Sequence, residues 1–152
     1  MQFRARAAGP GDFGDIPLDF NQFVPAPADL DDDALYDWRV ENWQTKWPAD
    51  SEQFRVTQDD DLTMVFWTAW SPPAPVIRAA SLDYPRLIFD LTYHDDETPF
   101  AGRVRFQGGE AESDEFVSDD FEECRRFLKR AGWDEEAQKY DELLAQDPNE
   151  YV

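Results

Sequence analysis

The chain has 152 residues, a length that predicts one domain with at most a short appendage. Six Trp, five Tyr and twelve Phe supply enough apolar volume for a packed core, which argues against a wholly disordered chain. The single cysteine, Cys124, excludes an intramolecular disulfide and favours a reducing cytoplasm. No apolar run has membrane-spanning length and the first residues lack the apolar stretch of a signal peptide, so we expect a cytoplasmic protein without membrane contact.

The formal net charge is −20, from 34 acidic and 14 basic residues. A charge of this size says little about the fold, but it bears on solubility and on partners. Such a surface repels nucleic acid and anionic membranes, and it attracts basic proteins. Two plainer interpretations compete with a functional acidic surface. One is adaptation to salt or to genome composition, since Asp outnumbers Glu and Arg outnumbers Lys, and the other is simple solubility.

The first part of the chain predicts two short strands and one helix. Alternating apolar residues favour strands at 3–8 and 18–24, with a Gly-Pro-Gly break between them. The acids at 31–33 predict a helix start, because carboxylates suit the positive end of the helix dipole. Apolar residues then recur at helical spacing until Pro48. This apolar stripe consists of Tyr36, Val40, Trp43 and Trp47.

The middle of the chain alternates strands and helices. Strands are predicted at 54–56 and 62–70, and the second is almost wholly apolar, as is typical of a central strand. Ser71 is expected to cap a helix that has Pro72 at its first position. Two more strands are predicted, at 86–93 and 100–106.

The last part predicts an acidic loop followed by two helices. Residues 110–117 have a loop-like composition, and Ser118 is expected to cap the first helix. Gly132 ends that helix and Asp134 begins the second. The expected inward residues are Phe121, Cys124, Leu128, Ala131, Ala137, Tyr140 and Leu144.

These elements predict an α+β fold. We expect a ferredoxin-like, split βαβ antiparallel sheet with helices on one face, plus two C-terminal helices. The expected organisation is a ferredoxin-like domain at 1–109 with an acidic helical extension, 110–152, packed on it. The core of this monomer should bring Trp43, Trp67, Phe89 and Val104 together under the sheet.

Several segments resemble a known family. They read YDWRVENWQTKW at 36–47, TAWSPPAPVI at 68–77 and FAG at 100–102, and LDFN at 18–21 and VPAP at 24–27 accompany them. Over about residues 18–109 the chain thereby resembles the YubB-like ferredoxin-like domain proteins of phages and plasmids. Gln44 stands where that family usually has Gly. The resemblance implies a ferredoxin-like fold and a mobile-element origin, and it implies no activity.

The sequence predicts neither a catalytic site nor a metal or cofactor site. His94 is the only histidine, and with one cysteine on another segment it cannot form a zinc site of the usual spacing. It is expected in a solvated turn, while Cys124 is expected in the core. Phosphate-binding and nucleophile-elbow motifs are absent. The acids at 31–33, 59–61 and 95–97 lack EF-hand spacing and are interpreted as polar turns and helix starts.

The tryptophans allow two interpretations. They are Trp38, Trp43, Trp47, Trp67 and Trp70. Aromatic residues spaced along a helix and a central strand are usually core residues, although one or two can reach a surface pocket. The core interpretation is preferred over a ligand groove.

The C-terminal segment carries the largest charge excess, with fifteen acids and five bases from Glu110 to Val152. Helix dipoles explain part of this pattern, but not all of it. We therefore expect a non-catalytic inhibitor whose carboxylates replace duplex phosphates in the nucleic-acid site of a basic host complex, of the CRISPR or restriction type, without binding nucleic acid itself. The alternatives are an acidic housekeeping domain and a carboxylate-dependent enzyme. The expected partner-binding residues are Asp114, Glu115, Asp119, Asp120, Glu122, Glu123, Asp134, Glu135 and Glu136.

Overall fold

A computed structural model describes residues 2–11, 14–49 and 53–146. Its helices are α1 (Gln2–Ala7), α2 (Asp32–Trp43), α3 (Ala74–Asp83), α4 (Phe121–Arg130) and α5 (Asp134–Gln146), and a short 3₁₀ helix spans Phe20–Gln22. Its strands are β1 (Gly9–Gly11), β2 (Gly14–Ile16), β3 (Arg55–Gln58), β4 (Leu62–Val65), β5 (Phe89–Asp95), β6 (Phe100–Gln107) and β7 (Glu110–Ser118). The α+β class and the two C-terminal helices are confirmed.

The central sheet is antiparallel and has the strand order β5-β6-β7. Leu91 of β5 and Asp114 of β7 both pair with Val104 of β6, and the β6–β7 register shifts once, between Arg105 and Phe106. Within the described residues, β1 and β2 form one separate hairpin and β3 and β4 form another. The predicted domain division between 109 and 110 falls at the turn between β6 and β7.

One face of the central sheet packs on the main core. Alternation along β6 turns Val104 and Phe106 to this face, where they belong to the same buried cluster as Val76 and Ile77 of α3. Trp43 at the end of α2 is 0% exposed, and its indole N–H donates to the Val24 carbonyl oxygen at 2.8 Å. The indole therefore buries its ring without leaving a polar atom unpaired.

A second apolar cluster lies beside Ala101 of β6. The amphipathic faces of α4 and α5 supply Cys124, Leu128 and Tyr140, all buried. Side chains alternate between the two sheet faces along β6. Ala101 and Val104 are three residues apart, so they lie on opposite faces and belong to different clusters. The two C-terminal helices thus attach to the face away from α3.

Several local predictions are wrong at the N-terminus and around β4. The expected strand at 3–8 is helix α1, because Phe3 and Ala7 lie four residues apart and bury one helical face. The expected strand at 18–24 contains the 3₁₀ helix, which Asp19 caps by accepting from the Asn21 N–H at 3.0 Å. Strand β4 ends at Val65 rather than at residue 70.

The predicted helix caps and the predicted loop also need correction. Helix α3 begins at Ala74 with Pro73 as its N-cap, so Ser71 is not the cap. Residues 110–117 are strand and not loop. Asp120, not Ser118, caps α4, because Ser118 is paired with Phe100 in the sheet.

The predicted core is only partly right. Trp43 and Val104 are buried, and Phe89 packs partly buried against the same cluster. Trp67 is 52% exposed, since it follows the end of β4, and it does not join them. Its ring lies 5.5 Å from the Lys139 ammonium.

Candidate functional site

The nine predicted partner-binding acids do not form one cluster. On β7, Asp114 lies opposite Val104 and Glu115 lies opposite Arg103, so their side chains leave the sheet on opposite faces. Four of the others surround the start of α4 and three begin α5. Seven of the nine are exposed, and Glu122 and Glu136 are half-buried.

Two of these acids are balanced by arginine. Glu122 accepts from Arg125 at 2.5 Å and from Arg126 at 3.1 Å, and the Arg125 hydrogen bond lowers the pKa of its carboxyl group. Glu136 lies 3.7 Å from Arg55 across the shallow cavity between the β3–β4 hairpin and the start of α5. The start of α5 is also separated from the start of α4 by the length of that ten-residue helix, about 15 Å.

The remaining acids at the start of α4 lie beside the turn between β5 and β6. The Asp119 N–H donates to the Pro99 carbonyl oxygen at 2.9 Å, which joins the two segments. We call this surface the acidic end. It comprises Asp95, Asp96, Glu97, Asp119, Asp120 and Glu123. In the part of the chain that the structure describes, none of these six takes part in an ion pair.

The acidic end shapes the chemistry of the residues behind it. Burial, and then the charges of Asp120, Glu123 and Asp119, raise the pKa of the Cys124 thiol to about 11. Cys124 is therefore protonated and buried, as the sequence predicts for a core residue and contrary to the needs of a nucleophile.

His94 does not lie in a solvated turn, as the sequence had suggested. It lies on β5, and burial lowers its pKa. The Tyr140 hydroxyl donates to the Asp95 carbonyl oxygen at 2.6 Å and lies 3.4 Å from the His94 Nδ1 atom. Among the described residues no group of three or more His, Cys, Asp or Glu side chains is arranged to hold a metal ion.

A groove of about 500 Å³ brings the sequence motifs together. Gln44 comes from the first motif, Trp70 and Ser71 from the second, and Phe100 from the third. Tyr93 of β5 and Phe116 of β7 continue the aromatic surface across the sheet. We call this feature the motif groove. Its lining includes Gln44, Trp70, Ser71, Tyr93, Phe100, Asp114 and Phe116.

The backbone at Trp70 holds the indole at the surface. Trp70 has φ of 70°, and the Ser71 N–H donates to the Ala69 carbonyl oxygen at 2.9 Å. This is the three-residue γ-turn with a left-handed central residue, which is rare and strained. The Thr68 hydroxyl fixes the turn by donating to the Ser71 carbonyl oxygen at 2.9 Å, and the Ser71 hydroxyl donates to the Gln44 carbonyl oxygen. The resulting Trp70 ring is 66% exposed.

The sheet side of the motif groove depends on Gly102. A Cβ atom at this position would lie 2.3 Å from the Tyr93 ring, so glycine lets that ring lie across β6. The rings of Tyr93 and Phe100, and those of Phe100 and Phe116, have centroids 6.2 Å apart. Phe116 is 59% exposed at the outer end of this row. Burial, and then the charge of Asp114, raise the pKa of Tyr93.

The sequence predicts three acids of the acidic end as contacts, Asp119, Asp120 and Glu123, but it indicates no surface role for Tyr93 or Phe116 and does not reveal the arrangement of either surface. The acidic turn at 95–97 was interpreted alone, because its proximity to Asp119 depends on the β6–β7 register. The predicted strand at 62–70 extends beyond the end of β4 at Val65 and includes Trp70, so the sequence places Trp70 in the core. The signal for the motif groove was the occurrence of three motifs in one chain.

A family model described as the ferredoxin-like domain in Api92-like protein matches residues 42–142. The match covers more than half of the chain and runs from the end of α2 through most of α5, so it confirms the ferredoxin-like fold class. Comparisons with curated proteins and with solved structures gave no significant match. None of the described helices is both long and apolar enough to span a membrane.

Proposed function

The chain belongs to the family of ferredoxin-like domains in Api92-like proteins, and we propose that it is a non-catalytic binding domain that engages a basic, nucleic-acid-handling protein through its carboxylates. The observation that carries this proposal is the acidic end. Two turns that are distant in sequence place six carboxylates at one end of the sheet, and in the described chain none of the six is neutralised by an ion pair.

Such a surface suits nucleic-acid mimicry. A channel that binds duplex phosphates is lined by Lys and Arg, and carboxylates on a rigid scaffold satisfy the same cations. Each exposed pair contributes only about 0.2–1 kcal/mol, so no single acid is expected to dominate. The cluster acts together on the association rate and on its dependence on salt. Free DNA or RNA is not a ligand in this proposal, because the net charge of −20 repels it.

The finer proposal concerns the partner and the origin of the protein. The segments that resemble phage and plasmid proteins, together with the acidity, support a mobile-element protein that blocks a host defence complex of the CRISPR or restriction type. Among the nine acids expected from the sequence, Glu122 and Glu136 are paired with arginine, so they are expected to contribute less to partner binding. Asp119, Asp120 and Glu123, joined by Asp95, Asp96 and Glu97, become the principal contacts.

A charge-reversal experiment tests the acidic end. The partner is first captured from host lysate at low salt and identified by mass spectrometry, and its association rate is then measured by surface plasmon resonance. The variant Asp96→Lys, Glu97→Lys, Glu123→Lys should lose most of the association rate. A matched control, Asp59→Lys, Asp60→Lys, Asp61→Lys, has the same net charge change at another turn and should retain most of it.

The control also separates mimicry from salt adaptation. If both triple variants lose binding equally, the partner responds only to overall charge and the acidic end is not a site. If the acidic-end variant binds as well as the unchanged protein, the proposal is wrong. Competition by duplex DNA for the captured partner supports mimicry, and simultaneous binding of DNA and this protein contradicts it.

A further inference from the structure

We propose that the motif groove receives a Lys or Arg side chain from a basic partner, with the aliphatic stem against Trp70 and Phe116 and the charged head at Asp114. The inference deepens the proposed function, since it rests on that function for the class of partner and names the place where a single side chain is anchored. None of the six acids of the acidic end is among the residues that line the groove.

The composition of the groove favours a cation with an apolar stem. Its volume of about 500 Å³ is within the range of ligand sites, and five of its twelve lining residues are aromatic. Asp114 is the one charged residue among the described residues that line it. Gln44 and Ser71 add polar atoms at the rim. A long side chain that is apolar along its stem and positive at its end can place the stem against the aromatic rings and the charge beside Asp114.

Trp70 already contacts a cation within the chain. The Lys46 ammonium lies over the Trp70 ring, and Lys46 is not part of the groove lining. The ring quadrupole attracts positive charge, and tryptophan does so most strongly among the aromatic side chains. The contact shows that the strained γ-turn presents the indole to an ammonium group. A ligand cation at Trp70 therefore competes with Lys46 or is repelled by it.

The same observations disfavour a nucleic-acid ligand. Aromatic rings across a sheet can stack on bases, but such sites combine stacking with positive charge along the backbone. Here the lining charge is the negative Asp114, and the whole chain carries −20. Charge complementarity therefore selects a basic protein segment for this face.

The test is a peptide titration of the full chain. The probe is acetyl-Gly-Arg-Gly-amide, and acetyl-Gly-norleucine-Gly-amide has a similar stem without the charge. Binding is followed through the Trp70 indole N–H signal in ¹H–¹⁵N NMR spectra, assigned with Trp70→Phe. The arginine peptide should shift this signal, and the norleucine peptide should bind about two- to fivefold more weakly because it lacks the cation–π and carboxylate contacts.

Three variants make the result specific. Asp114→Asn should weaken binding about two- to fivefold, while Asp59→Asn, which removes the same charge at a distant turn, should leave it unchanged. Lys46→Ala should strengthen binding, because it removes a competing cation. Trp67→Phe should have no effect, since this exposed ring lies outside the groove lining.

Several results would overturn the inference. Equal weakening of peptide binding by Asp114→Asn and Asp59→Asn would show that only overall charge matters. Equal binding of the two peptides would show that the groove does not recognise the cation. Weaker binding in Lys46→Ala, with Trp70 shifts caused by a single-stranded oligonucleotide, would make the groove a nucleic-acid site instead. The titration needs no captured partner, so its failure leaves the charge-reversal result at the acidic end unaffected.

Discussion

At the scale of single residues, Gln44 has a strained backbone conformation and also lines the motif groove. It follows the last residue of α2 and has φ of 62°, a left-handed conformation that glycine adopts without steric penalty. This conformation fits the glycine that the resemblance implies at this position. The Ser71 hydroxyl donates to the Gln44 carbonyl oxygen, so this backbone conformation also fixes the approach of the Trp70 turn.

We expect Gln44→Gly to raise the free energy of unfolding by about 1 kcal/mol, because it relieves the left-handed strain. Gln58→Gly in β3 is the matched control. Gln58 has no positive φ, so the same replacement there should lower the free energy of unfolding by about 0.5–1 kcal/mol. Urea unfolding followed by tryptophan fluorescence measures both. A loss of stability in Gln44→Gly would show that the glutamine side chain outweighs the strain.

The residues near Trp70 show where sequence patterns lose resolution. Residues 62–70 are almost all apolar, so periodicity cannot reveal that the strand ends at Val65. Trp43 and Val104 are correctly predicted as core: the bounds of β6 around Val104 are predicted well, whereas α2 ends at Trp43 and not before Pro48. Trp67 and Trp70 follow the end of the strand and are exposed. The course of the backbone after Val65, including the turn at Trp70, sets their exposure, and their hydrophobicity does not.

At the scale of elements, the junction between β7 and α4 decides how the acidic end is built. Ser118 and Asp120 are both good N-cap residues by type. The sheet makes the choice, because Ser118 pairs with Phe100 and must remain extended. Asp120 then caps the helix, and its carboxylate accepts from the Glu123 N–H at 3.0 Å.

Asp120→Ala should therefore lower the free energy of unfolding by about 1 kcal/mol, through the loss of the cap. Asp120→Asn should retain most of the stability, because an amide oxygen can accept the same hydrogen bond. Ser118→Ala, the serine expected from sequence to be the cap, should change stability by less than about 0.5 kcal/mol. Thermal unfolding followed by circular dichroism compares the three. A larger loss in Ser118→Ala than in Asp120→Ala would contradict this assignment.

Strand β7 was predicted as a loop for a physical reason. A strand with one buried face reveals itself by alternating apolar and polar residues. Six of the nine β7 residues are polar, and nearly all nine are exposed, so this alternation is absent. Strand β7 pairs with β6 as a hairpin across the Gly108-Gly109 turn, so the turn indicates this pairing and the composition of β7 does not. The sequence predicts Asp114 and Glu115 as exposed acids, but without the strand it does not place them on opposite faces of the sheet.

At the scale of the whole molecule, the acidic charge and the half-buried histidine have separate effects on the pH dependence of stability. His94 is held among Asp95, Asp96, Glu136, Lys139 and Tyr140, and burial is the largest cause of its lowered pKa. In the unfolded chain its pKa returns to about 6.5. The stability that neutral His94 contributes is therefore complete above that pH and is lost as the pH falls towards the lower pKa of the folded state.

Replacing His94 with Gln should remove this dependence. Between about pH 7.5 and pH 5, the free energy of unfolding of the unchanged protein should fall more steeply than that of His94→Gln, by at most about 1.4 kcal/mol per pH unit, the limit for one proton. Urea unfolding at several pH values gives both slopes. Carboxylate repulsion affects the two proteins alike and cancels in the comparison. Equal slopes would mean that His94 titrates in the folded state as it does in the unfolded chain.

The acids of β7 have a consequence for self-association. In the described part of the chain β7 pairs with β6 alone, so its outer row of peptide groups is open to a neighbouring strand. Charged side chains on such a border oppose the stacking of identical molecules edge to edge. Glu110, Glu112, Asp114 and Glu115 would repel their counterparts in a second copy. The net charge of the molecule falls towards zero as the pH approaches the isoelectric point of about 4.1, so we expect acid-induced aggregation to begin at this open border.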